Sequence, residues 1–314
     1  MPGREDSLIT LRDWRPADYL TLFELADELE ADYRASGQLE LLRHKTLVTA
    51  FYQPSTRTRL ASEAAMWQSG GRVLGFADHR MTRAGDFYQE SLKDTARMLE
   101  NYGDLIALRH FQEGAAAEMA RWVRVPVINC GDGWGDHPTQ VLTDLYTIWK
   151  RLGSLQGLSF LLVGDMRMRT MHSMLHALAR FDCDVTLVHP DEMEADQARL
   201  LDARAMGLRW RRAESVSAAL GGTDVIYMEP VVQPDYTHSR EAAPESYGQT
   251  APAFRLDLEA YERLAPQALI VHSFARMDEL PTAFDEHPHA CYWQQSANGV
   301  VVRRAIFAQL LGAA

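Results

Sequence analysis

Phe51-Tyr-Gln-Pro-Ser-Thr-Arg-Thr-Arg-Leu60 is the stretch on which the reading of the fold turns. The apolar run Thr46–Phe51 before it reads as a strand, and Leu60–Trp67 after it reads as a helix. Ser55, Thr56, Arg57 and Thr58 therefore stand where a strand ends and a helix begins. A helix N-terminus presents unpaired N–H groups and a partial positive charge. Hydroxyls and a guanidinium placed there make a receptor for phosphate. The plainer reading is a capped helix with a solvent-facing arginine. The whole Ser-Thr-Arg-Thr-Arg run, following a strand, favours the receptor.

The rest of the chain agrees with a cytosolic α/β protein. Its 314 residues suggest two domains with ample core. A formal net charge of −11 argues against nucleic acid or an anionic membrane as the main partner, but not against a small anion held by local arginines. Cys130, Cys183 and Cys291 are widely spaced, form no metal pattern or disulfide framework, and suit a reducing cytoplasm. No apolar run is long enough to span a membrane, and the first residues carry no apolar leader segment.

Strands are expected at Thr46–Phe51, Arg72–Phe76, Leu105–Leu108 and Val125–Asn129, with helices at Asp18–Arg34, Glu90–Tyr102 and Gly114–Trp122. A long helix over Gln140–Leu152 leads to a turn at Gly153–Gly157. A second βα series follows, with strands at Leu158–Val163, Val185–Val188, Leu208–Trp210, Asp224–Met228 and Ala268–Val271. A helix over Asn298–Leu311 closes the chain. This alternation indicates βαβ units and parallel sheets, whose ligands sit at the carboxyl ends of strands. Arg57, Arg109 and the segment after Asn129 fall at such ends. In that segment His137 precedes a helix start, where a surface histidine in a turn is the competing reading. Gly164-Asp165 lacks the further glycines of a dinucleotide fingerprint. Met166, Met168, Met171 and Met174 read as core filling, and Arg276-Met-Asp-Glu279 as a salt-bridged turn.

Ser55-Thr-Arg-Thr-Arg59, Arg109-His110, His137-Pro-Thr-Gln140, Gly164-Asp165 with Arg169-Thr-Met-His-Ser173, and Tyr292–Gly299 together resemble the aspartate and ornithine carbamoyltransferases. The stretch from Gln294 to Ala305 resembles the aspartate branch more. The resemblance implies a carbamoyl-phosphate domain over 1–150 and an acceptor domain over 151–289, with the last helix (290–314) returning to the first domain. It also implies a homotrimer with active sites shared between subunits, and no metal or cofactor. By position, Ser55, Thr56, Arg57 and Thr58 would hold the phosphate. Arg109 and His137 would act on the carbonyl oxygen, Gln140 on the carbamoyl nitrogen, and Ser273 and Phe274 would border the carbamoyl group. Arg169 would take the acceptor's carboxylate.

The departures from the family pattern cluster at the acceptor end. Tyr88 stands where the aspartate branch has a lysine that reaches a neighbouring subunit, with Arg80 or Arg83 as replacements for its charge. Pro230 replaces the arginine that clamps the side-chain carboxylate of aspartate, Gln233 is displaced by one, and Arg240 is a candidate substitute. Glu229 would repel that carboxylate and attract an ammonium. The family's His-Pro-Leu-Pro-Arg is here His272-Ser-Phe-Ala-Arg276. Non-proline residues rarely take the cis bond found there, so this turn is expected to change. The turn around Arg169 is also one residue shorter than usual. The expectation is a carbamoyltransferase whose acceptor is an amine or amino acid other than aspartate, such as a diamino acid paired with Glu229. Aspartate carbamoylation is the alternative, and a non-catalytic scaffold relative is the rival from another class.

Overall fold

The computed structural model describes residues 7–78, 80, 82, 90–231 and 250–313. It divides into two compact units, the first ending at Thr143 and resuming at Ser296, the second running Asp144–Gln295.

In the first unit α1 (Pro16–Ser36) opens with Pro16, suited to a helix's first turn, and ends at Gly37 in the left-handed region. There follow β1 (Thr46–Phe51), α2 (Thr56–Gln68), β2 (Arg72–Phe76), α3 (Leu92–Leu99), β3 (Leu105–His110), α4 (Ala115–Trp122) and β4 (Val127–Asp132). The four strands form one parallel sheet in the order β2-β1-β3-β4. Every residue of β3 and β4 is buried, as expected of parallel strands covered on both faces. Leu8 pairs with the outer side of β4 through Leu8 N–H to Val127 O (2.9 Å) and Asn129 N–H to Leu8 O (2.8 Å), which covers that edge. The helix α5 (Pro138–Leu152) carries the chain across the boundary between the units.

The second unit contains β5 (Ser159–Val163), α6 (Arg169–Leu178), β6 (Asp184–Val188), α7 (Gln197–Ala205), β7 (Arg209–Arg212), α8 (Val216–Ala219), β8 (Val225–Met228), α9 (Leu258–Leu264) and β9 (Leu269–His272). Its sheet is parallel in the order β7-β6-β5-β8-β9. Finally α10 (Tyr292–Leu310) passes from the second unit into the first.

Strand order reverses direction between β1 and β3 in one sheet and between β5 and β8 in the other. Such switch points open a crevice at the strands' carboxyl ends. Phe51 is the register partner of Arg109, so the run after β1 and Arg109 on β3 emerge side by side. Met228 is level with both Val163 and His272, so Gly164, Glu229 and Ser273 leave three adjacent strands together.

Most element bounds shift by a residue or more from expectation, and three differences have a visible cause or cap. β4 starts at Val127 because Pro126 cannot donate to the ladder, although its carbonyl accepts from Ile106 N–H. α10 starts at Tyr292, not Asn298, its first turn tied by Gln295 N–H to Cys291 O (2.7 Å). α9 was not anticipated, although Asp257 caps it by accepting from Ala260 N–H (2.8 Å).

Candidate active site

Ser55 sits at the N-cap of α2 with extended backbone. Its side chain accepts no cap hydrogen bond, and the first turn carries no acidic residue. Among the described residues, the hydroxyl is therefore not committed to the helix's own N–H groups, contrary to the plain capped-helix reading. Thr56 and Arg57 are exposed at this terminus, whereas Thr58 is buried and its carbonyl accepts from Ser62 Oγ (2.8 Å).

Arg109 and His137 are brought together from different strands. Arg109 Nη1 lies 3.4 Å from His137 Nε2 and donates to Cys130 O at 3.2 Å. Both side chains are nearly closed to solvent, at 9% and 4% exposure. Donors held in such a site act at low dielectric and need little reorganisation. Gln140, half-buried, follows in the first turn of α5.

The loop that presents His137 is pinned by residues the motif reading passed over. Asp132, buried at 3%, accepts from Asn129 Nδ2 (3.0 Å), Asp136 N–H (2.9 Å) and Gly114 N–H (3.0 Å). Burial nevertheless pushes its carboxyl above the ordinary carboxylate range. Gly133 has φ +48°, and a Cβ there would come within 2.6 Å of Glu113 N. The signal for this pinning was present in the sequence as Asn129 and the three glycines of 131–135. Thr139 and Arg303 were also missed. Arg303 Nη2 donates to Thr139 Oγ1 at 3.2 Å, and that oxygen is 3.4 Å from His137 Nδ1.

At the switch point of the second unit the groups are acidic. Glu229, at 2% exposure, accepts from Thr170 Oγ1 and from Tyr227 OH (3.4 Å), with the Ser273 hydroxyl also bonded to it. Burial pushes its carboxyl up to about 7, helped by the charges of Asp144 and Asp165 and opposed by Thr170 and Ser273. Tyr227 also donates to Asp144 (3.0 Å), which accepts from Gln295 Nε2 at 2.6 Å. Gly164 has φ +131°, and a Cβ there would lie 2.4 Å from Glu229 O. Arg169 opens α6 with its side chain only 2% exposed. Asp165 clamps Arg167 by two hydrogen bonds, of 2.8 and 2.7 Å.

The turn after β9 departs from expectation. The Phe274–Ala275 peptide bond is cis despite the absence of proline. The surrounding groups hold this turn: His272 Nδ1 accepts from Phe274 N–H at 2.8 Å, and the Phe274 ring stacks on Trp293 at 5.3 Å. Arg276 is salt-bridged as expected, but to Asp285 and not within its own run. Asp278 pairs with Arg255, and Glu279 with the buried His272.

Arg80 forms a bidentate pair with Asp78 and is largely exposed. Arg83, Tyr88, Gln233 and Arg240 lie outside the described residues. Among the described residues, no group of three or more His, Cys, Asp or Glu is placed to hold a metal ion. No helix there is long and apolar enough to cross a membrane.

Residues 6–150 match the family described as aspartate/ornithine carbamoyltransferase, carbamoyl-P binding domain. Residues 156–310 match its Asp/Orn binding domain. The chain is 35% identical over 312 residues to the aspartate carbamoyltransferase catalytic subunit of Thermoplasma volcanium, covering 98% of this chain and 99% of that one. It is 36% identical to the one of Thermococcus gammatolerans, covering 99% and 98%. Among solved structures, the catalytic subunit of M. jannaschii aspartate transcarbamoylase superposes with a TM-score of 0.86 at 34% identity, covering 98% of both chains. The Trypanosoma cruzi enzyme in complex with carbamoyl aspartate and phosphate gives a TM-score of 0.83 at 28% identity, covering 98% and 95%. The chain belongs to the aspartate/ornithine carbamoyltransferase family, and it is a carbamoyltransferase.

Proposed function

We propose that this chain transfers the carbamoyl group of carbamoyl phosphate to the amino group of aspartate, releasing phosphate. The observation that carries this reading is the likeness, over essentially the whole chain, to proteins named aspartate carbamoyltransferase catalytic subunit. In the proposed step the neutral amine attacks the carbonyl carbon. A C–N bond forms, the C–O bond to phosphate breaks, and the departing phosphate takes the amine proton. Negative charge grows on the carbonyl oxygen, where Arg109 and His137 are the proposed donors. Ser55, Thr56, Arg57 and Thr58 are proposed to hold the phosphate at the N-terminus of α2, Gln140 to accept from the carbamoyl nitrogen, and Arg169 to take the acceptor's carboxylate. Ser273 and Phe274 would border the carbamoyl group.

The expected preference for another acceptor finds no support in these likenesses. It rests on two residues at the end of β8. Pro230 stands where a side-chain clamp is expected, and Glu229 carries a carboxyl that sits near neutrality. This second reading predicts a diamino acid or another amine as substrate.

A homotrimer with shared sites is part of the same proposal. α2 exposes Leu60 (56%) and Trp67 (60%), seven residues apart and so on one face, which suits contact with a second copy. A cytoplasmic setting accords with the acidic composition and the three buried cysteines.

The test is product formation from carbamoyl phosphate against a panel of amino acids and diamines. Turnover with aspartate alone supports the first reading, and turnover only with a diamino acid replaces it with the second. Ligand binding without turnover on any member points to the non-catalytic relative.

A further inference from the structure

His272 is the last residue of β9, and its imidazole is tied on both sides. Nδ1 accepts from Phe274 N–H at 2.8 Å. Nε2 lies 2.8 Å from Glu279 Oε1, which also accepts from Met277 N–H at 2.9 Å. The imidazole and the carboxyl are both closed to solvent. The His272 backbone is held as well, its N–H donating to Gln295 Oε1 at 2.9 Å. A backbone N–H can only donate, so Nδ1 must present its lone pair to Phe274. The ring is then neutral, and its one proton sits on Nε2, facing the Glu279 oxygen. A proton on Nδ1 would set two donors against each other across 2.8 Å.

We propose that His272 is a positioning residue: fixed by Glu279 as the neutral Nε2–H tautomer, it presents Nδ1 to Phe274 N–H and so holds the turn over residues 273–275. Phe274 has φ +62°, a left-handed conformation that a bulky residue keeps only where its surroundings over-determine it. A bond from its N–H to a side chain two residues back is the kind an Asx turn makes. The Phe274 ring is held separately, stacked on Trp293. Ser273, between His272 and Phe274, is hydrogen-bonded to Glu229, so placing the turn also places that hydroxyl. This turn is the one proposed to border the carbamoyl group. The kinetic part of the inference therefore rests on the carbamoyl-transfer reading, whereas the tautomer does not.

Two substitutions divide the roles of the ring. His272→Asn places Oδ1 as many bonds from the backbone as Nδ1, so it keeps an acceptor for Phe274 N–H and loses the donor to Glu279. His272→Gln places an amide N–H where Nε2–H was and loses the acceptor for the turn. In His272→Gln, KM for carbamoyl phosphate is expected to rise roughly 3- to 10-fold, the worth of one hydrogen bond, with a smaller change in kcat. His272→Asn should restore KM to near wild type. A merely structural histidine would lose stability in both variants, read by thermal unfolding, without separating their KM values. In protein labelled with 15N-histidine, long-range proton–nitrogen spectra report which ring nitrogen carries the proton, and the His272 signals are those lost in His272→Asn. Wild type is expected to show Nε2 protonated and Nδ1 as an unprotonated acceptor. A protonated Nδ1 in wild type overturns the proposal, as does an unchanged KM in His272→Gln or an equal rise in both variants. If His272→Gln does not fold, His272→Asn decides: a retained KM supports the proposal and a raised one overturns it. If wild type transfers no carbamoyl group to any acceptor, the functional reading fails while the spectra still decide the tautomer.

Discussion

The two sheets end in chemically opposite ways. Where β1, β3 and β4 finish, the side chains gathered are donors: the Ser55 hydroxyl, Arg109 and His137. Where β5, β8 and β9 finish, carboxylates and their hydroxyl partners dominate, namely Glu229, Asp144, Asp165, Thr170 and Tyr227, with the buried Arg169 beside Thr170 in the chain. Cations and donors at a strand end suit an anion that arrives from solution. A buried carboxylate cluster spends its hydrogen-bonding capacity inside the protein and orders its own turns. The first end is thus the one proposed to receive the carbamoyl phosphate. The second is an acidic cluster whose members are satisfied largely by one another and by hydroxyls.

The sharpest way to break this contrast is at the donor end. Arg109→Ala or His137→Ala should each lower kcat roughly 100- to 1,000-fold, the usual consequence of removing one preorganised donor. Steady-state kinetics at saturating carbamoyl phosphate measures this, and a loss confined to KM would assign these residues to binding alone.

At the acidic end the expected effect is on stability. The Glu229 carboxyl is raised from 4.5 to about 7 in the folded protein. The folded state therefore holds a proton that the unfolded state gives up between those values. This contribution is fully present below the unfolded value and is lost as pH rises through about 7. Glu229→Gln removes it, so the variant should gain on wild type by up to about 3 kcal/mol between about pH 5 and about pH 8. Denaturant unfolding at the two pH values reads this out. A constant difference between the two proteins would mean that Glu229 is ionised throughout.

Gly164→Ala probes the same turn sterically. The added Cβ would meet Glu229 O at 2.4 Å on a backbone with positive φ, and a loss of about 1–3 kcal/mol is expected from such overpacking. Thermal unfolding checks it, and an unchanged midpoint would show that the turn yields easily. The smallest effect concerns Arg80, whose exposed pair with Asp78 should contribute at most about 1 kcal/mol to stability. Arg80→Ala should therefore leave unfolding nearly unchanged. A large loss of turnover in this variant would place Arg80 in an active site.

How far the sequence carried depended on the range of the contacts involved. Ser55–Thr58 was legible because its strand, its turn and its helix are all local, and a helix terminus has the same electrostatics wherever it occurs. Arg109 and His137 were placed at strand ends by the βαβ alternation, but their 3.4 Å approach depends on a register between β3 and β4 that periodicity does not encode. The expected change in the turn after β9 was misjudged from the missing prolines, because the cis bond there is accompanied by contacts from His272 and Trp293. Glu229 was legible as an acid just after a strand's end, yet its burial among Thr170, Tyr227 and Ser273 was not.

From the sequence alone came the parallel α/β architecture, the strand-to-helix turn at Ser55–Thr58 and the family. Hydrophobic period, glycine placement and helix-terminus chemistry act over a few residues and are written directly in residue order. Only the tertiary structure decided that Arg303 reaches His137 through Thr139, and that the second unit's carboxylates are satisfied internally. Those outcomes depend on burial and on hydrogen bonds between residues as far as 164 positions apart, and no local pattern records where such partners meet.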